Sequence, residues 1–122
     1  MNWYKKSNKF GSGYCAEFAL ALHEKTGYPI AVILGHYRDE DTDEEYTEPS
    51  HCFVMIDSQN GIDCYGERSI NSMIEESYFS SKPIKITIEQ VTPEEAINTF
   101  SMEGAIPEAL KEAREIVEKM RL

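Results

Sequence analysis

Between residues 13 and 26 the apolar side chains recur at helical spacing. Cys15, Phe18, Ala19 and Leu22 fall at i, i+3, i+4 and i+7, which gathers them on one face of a helix. Glu17, Glu24 and Lys25 are expected to fall away from that face. Ser12 is the expected N-cap and Gly27 the stop before Tyr28-Pro29, so the Cys15 thiol belongs to the first turn and points inward. IAVILGHY (30–37) and HCFVMI (51–56) read as strands. After a short turn from Asp57 to Asn60, GIDCY (61–65) reads as a third. Residues 69–78 read as a short helix with Ile70, Met73, Ile74 and Tyr78 inward, and Pro83 opens the strand PIKITIEQV. Thr92-Pro93-Glu94-Glu95 combines a capping threonine, a proline suited to the first position and a glutamate that closes a capping box. Gly104 breaks that helix. Pro107 starts the last one, where Leu110, Ala113, Val117 and Met120 form an apolar stripe expected to pack in the core. The order is helix, three strands, helix, strand, two helices. It predicts an α+β fold, with the cysteine-bearing helix packed on a small antiparallel sheet and further helices at the C-terminal end.

Two registers compete for the hairpin of the second and third strands. With Asp57, Ser58 and Gln59 as the loop, Phe53 faces Asp63 and His51 faces Tyr65. His51 and Asp63 are then diagonal neighbours on one side of the sheet, within reach of each other's side chains. Cys52, Val54, Ile56, Ile62 and Cys64 form the opposite, apolar side, with Cys52 and Cys64 directly across from one another. With Asn60-Gly61 as a two-residue turn, the slip sends Asp63 to the face away from His51. The first register is expected, because it buries the apolar set coherently.

Composition narrows the class. A chain of 122 residues has the length of one domain, and no apolar run approaches the ~20 residues of a membrane span. The basic pair Lys5-Lys6 precedes no long apolar stretch, so a secretory signal is not expected and the chain is expected to be cytoplasmic. A net charge of −10 repels phosphate backbones, which argues against nucleic acid as a partner. Seven of the acids lie between Arg38 and Ser50 (RDEDTDEEYTEPS), a run expected to be a solvated acidic surface loop. Three cysteines, Cys15, Cys52 and Cys64, do not close a disulfide framework and lack zinc-site spacing. Free thiols are expected, with no metal and no cofactor.

Candidate chemistry centres on Cys15. A helix N-terminus favours the thiolate over the thiol, which predicts a depressed pKa. Gly11-Ser12-Gly13 leaves the backbone open for a substrate carbonyl to approach. A nucleophilic thiol needs a base, and the base needs an orienting group; His51 and Asp63 can supply them on adjacent strands. His23 lies two helical turns from Cys15, too far to serve. His36, at the end of the first strand, is the weaker alternative base. Ser12, Gly13, Tyr14 and Tyr65 are the candidate substrate contacts.

The segments GSGYCAEFALALHEKTGYPI and HCFVMIDSQNGIDCYG together resemble the papain-like superfamily of cysteine hydrolases and acyltransferases, which includes transglutaminase-like cores. The chain is especially similar to small members common in phages and bacteria. The resemblance spans roughly residues 11–68. It implies a papain-like core in which Cys15 is the nucleophile, His51 the general base and acid, and Asp63 its orienter. The substrate it implies is a peptide, a protein or a small acyl compound.

No glutamine precedes Cys15 to hold an oxyanion, as one does in papain; Asn8 and Lys9 stand in that neighbourhood. This departure motivates a second reading, a catalytically inactive binding protein on the same scaffold. An example is a phage anti-defence protein that sequesters a small ligand or blocks a host protein. A third reading has the acidic run dock on a basic surface. None of the three calls for a membrane.

Overall fold

The computed structural model describes residues 14–101 and 104–122. Within them, helix α1 (Cys15–Thr26) is followed by strands β1 (Ile30–Arg38), β2 (Glu45–Met55), β3 (Asn60–Asp63) and β4 (Gly66–Ser69). Helix α2 (Ile70–Glu76), strand β5 (Lys85–Val91) and helices α3 (Pro93–Phe100) and α4 (Pro107–Lys119) complete the order. The five strands form one antiparallel sheet in the order β4-β3-β2-β1-β5. The class is α+β, with α1 packed on the sheet. No helix among the described residues is long and apolar enough to cross a membrane.

The two faces of the sheet carry separate cores. On one, α1, α3 and α4 cover Ile30, Val32, Cys52, Val54, Ile62 and Cys64. Phe18 and Leu22 of α1 are fully buried there, each contributing about 1.5–3 kcal/mol of apolar transfer. On the other, α2 covers Ala31, Ile33 and Phe53 with Ile70 and Met73. Because side chains alternate along a strand, neighbours such as Cys52 and Phe53 serve different cores.

The hairpin adopts the register with Asp57-Ser58-Gln59 as its loop, pairing Val54 with Ile62 and Met55 with Gly61. Asp57 decides this locally. Its Oδ1 accepts from the amides of Gln59 and Asn60, both at 2.8 Å, an Asx turn that puts Asn60 in the strand instead of the turn. Thr92 and Glu95 form the expected capping box.

Several expectations are corrected. Strand β4 has no apolar alternation to announce it; it exists because Gly66, at φ +101°, folds the chain back on β3. The acidic run is a loop only near residues 39–44. From Glu45 onward it is the first half of β2, paired to β1, with Tyr46 stacked on Tyr37 at 5.3 Å. Helix α2 ends at Glu76, so Tyr78 is 84% exposed instead of inward. The buried stripe of α4 is Ala109, Ala113, Ile116 and Val117, leaving Leu110 and Met120 half-buried. Glu17 is buried, because the start of α4 lies over it and the Ile106 amide donates to its Oε1 at 3.4 Å.

Candidate functional site

Cys15 is the first helical residue of α1 and is buried. The cap position before it is Tyr14, with no side-chain cap bond, so the capping expected of Ser12 falls to a position two residues later. Ser12 and Gly13 lie outside the described residues. Tyr14 is 36% exposed at the cap and is not among the residues lining the cleft described below.

The hairpin register explains how the thiol meets the sheet. The Ile56 amide donates to the Asn60 carbonyl, so the even-numbered residues of β2 turn their amides toward β3. Cys52 is one of them. The β2–β3 pairing reaches only Val54 and Ile62, so the Cys52 amide faces an opening where β3 has ended. The Cys52 N–H favours the thiolate of Cys15.

Burial overrides that help. It pushes the Cys15 thiol from 9.0 up to about 12, opposed by the Cys52 amide, raised further by the charge of Glu17, and opposed again by the helix amides of Cys15 and Ala16. The depressed pKa expected from the helix N-terminus is therefore corrected. The dipole acts in the expected direction, but desolvation of a thiolate at this depth is the larger effect. Burial likewise raises Cys52, and raises Cys64 to about 12. All three cysteines are free and buried.

His51 stands on the other face of β2, stacked on Phe53 with centroids 6.2 Å apart. Opposite it the β1–β2 register slips, Ile33 pairing with His51 but Leu34 with Pro49, so Ser50 is the extra residue of a bulge. Such bulges re-aim neighbouring side chains. His51 Nε2 lies 2.9 Å from Asp63 Oδ2. Asp63 is 2% exposed. Its Oδ1 accepts from the Tyr65 amide at 2.9 Å, and its Oδ2 also accepts from Arg68 Nε at 3.0 Å. Burial alone would raise this carboxyl. The His51 bond and charge, the Tyr65 amide and Arg68 outweigh burial and hold it below the usual carboxylate range.

A carboxylate only accepts, so Nε2 carries the proton and Nδ1 is the basic nitrogen. No buried side-chain nitrogen or oxygen among the described residues lacks a partner. Nδ1 has no partner among the described residues, and the ring lines a cleft.

Cys15, His51, Tyr65, Arg68, Glu76 and Tyr78 are among the residues lining one cleft of about 580 Å³. The thiol enters it from the α1 side of the sheet and the imidazole from the α2 side. They share the cleft without a hydrogen bond between Cys15 and His51. His36 is bonded to Thr87 Oγ1 at 2.6 Å and His23 to the Tyr28 carbonyl at 2.8 Å, so both rings are engaged elsewhere. No metal-binding cluster occurs among the described residues.

Sequence reasoning missed Arg68 and Glu76. Arg68 spans the Asp63 carboxylate and that of Glu76, and lies over the Tyr65 ring at 5.4 Å. The available signal was Gly66. A tight turn there pairs Asp63 with Gly66 and Gly61 with Arg68, which puts Arg68 diagonally beside Asp63 on one face. No family model matches the chain, and neither a curated protein nor a solved structure matches it.

Proposed function

We propose that the chain is a cysteine hydrolase or acyltransferase acting on an amide, thioester or isopeptide bond. The papain-like resemblance belongs to this proposal. One observation carries it: His51, held through Nε2 by a buried ionised Asp63, lines the same cleft as Cys15. In this reading the Cys15 thiol gives its proton to Nδ1 as the sulfur adds to the substrate carbonyl. The imidazolium, stabilised by Asp63, returns the proton to the leaving group. A thioester on Cys15 remains, and water or an amine resolves it. The resting thiol is protonated, so proton transfer belongs to the attack itself, and Nδ1 must come within reach of the sulfur when substrate fills the cleft.

Incubation with p-nitrophenyl acetate, followed by peptide mass mapping, tests the reading. The expected result is an acetyl group on Cys15, absent in Cys15→Ala and formed roughly a hundredfold more slowly in His51→Ala, the scale of general-base assistance. Acetylation spread equally over Cys15, Cys52 and Cys64, or a rate indifferent to His51→Ala, overturns it. The raised Cys15 pKa favours a second reading, in which the cleft binds a small ligand or a peptide without turnover. Absence of Cys15 acetylation would point there.

A further inference from the structure

Strand β5 is an edge of the sheet: among the described residues it pairs only with β1. It is seven residues long, and Lys85, Ile86, Glu89 and Gln90 along it are exposed. Edge strands usually protect themselves with charge, because an unpaired row of amides and carbonyls is a template for another strand. Here the protection has an unusual symmetry. Lys85 and Glu89 carry opposite charges and stand two residues either side of Thr87.

We infer that β5 pairs antiparallel with β5 of a second copy of this chain, about a two-fold axis at Thr87, to make a continuous ten-stranded sheet. The register follows from faces and charges. Ile88 lies opposite Ile33 and packs with it on the α2 side, whereas Glu89 lies opposite Val32 on the α1 side. A two-fold axis normal to the sheet keeps each face continuous only where residues of the same face meet. Of the registers that do this, centring on Thr87 sets Lys85 of each copy against Glu89 of the other, giving two ion pairs. It also sets Ile86 against Ile88 twice, on the α2 face. Centring on Ile86 pairs Lys85 with Thr87, and centring on Ile88 pairs it with Val91; neither matches charge with charge. Opposite charges and apolar pairs directly across an antiparallel ladder stabilise it, and like charges oppose it. Helix α3 contacts α1, β1 and β2, and among the described residues no second strand pairs with the edge.

One strand pair buries less than the roughly 1,200 Å² of a standard stable interface. The dimer is therefore reversible and concentration-dependent. Sedimentation velocity of the full chain across the micromolar-to-millimolar range tests it. The expected result is a monomer–dimer equilibrium weakened about tenfold or more by Lys85→Glu, which sets carboxylates face to face at both ends of the ladder. Glu89→Lys should weaken it similarly. The double variant Lys85→Glu/Glu89→Lys should restore it, because both pairs re-form with their signs exchanged. Both positions are exposed, so neither change threatens folding, and circular dichroism checks this. A chain that stays monomeric to millimolar concentration overturns the inference. So does a dimer indifferent to Lys85→Glu, or one the double variant fails to restore.

Discussion

Alkylation of Cys15 as a function of pH is the most direct probe of the site. Only the thiolate reacts with iodoacetamide. A thiol pushed from 9.0 to about 12 holds about a thousandfold less thiolate at any pH below both values, since each pH unit is a factor of ten. Near neutrality the fraction is on the order of 10⁻⁵, against 10⁻² for the ordinary thiol. The perturbation is pH at fixed, limiting iodoacetamide. The assay is mass mapping of the labelled cysteine in the folded chain, with the same chain unfolded in urea as reference. Labelling of folded Cys15 should be at least a thousandfold slower than the reference at neutral pH. It should go on rising tenfold per unit past pH 9, where the unfolded thiols level off, as far as the circular dichroism spectrum stays native. Steric burial by itself would slow the reaction without moving the plateau, so the slope separates the two causes. A plateau for Cys15 at or below pH 9 would refute the argument that desolvation dominates at this helix end. The same shift makes a stability statement with a definite sign. Stability from the buried neutral thiol is fully present below about pH 9 and is lost as pH rises toward about 12.

Two further outcomes test the surroundings of the site. Asp63→Asn removes the one carboxylate that His51 and Arg68 share, so it should cost about 3 kcal/mol in urea denaturation, the scale for breaking a buried pair by deleting one partner. Asp63 has a lowered pKa when folded, so its contribution is present above the unfolded value near 3.9 and is lost as pH falls through the folded value. The variant should lose that part of the acid-unfolding slope, and an unchanged slope would contradict the assignment. Gly61→Ala would set a Cβ 2.6 Å from Phe53 Cδ2 and 2.8 Å from the Val54 carbonyl. The expected loss is about 2 kcal/mol by thermal or urea unfolding, and a neutral result would mean the hairpin can move off Phe53.

The sequence alone determined the elements whose cause is local. Spacing at i, i+3, i+4 and i+7 placed α1 and its buried Cys15, and Thr92-Pro93-Glu94-Glu95 placed α3 through a cap made by its own side chains. Alternation along β2 and β3 put His51 and Asp63 on a common face, because the register that buries the apolar set coherently fixes the side-chain parity. The rest follows from contacts between distant parts of the chain. The Cys15 pKa depends on how deeply the folded chain buries the sulfur, which no first-turn argument contains. Glu17 falls away from the apolar face of α1 by its spacing, yet it is buried because the start of α4, about ninety residues later, lies over it. Arg68 joined the site through β4, a strand with no apolar pattern, formed where Gly66 reverses the chain. Periodicity reports which face of an element is apolar; it does not report what another part of the chain brings to that face, and desolvation and ion pairing depend on that.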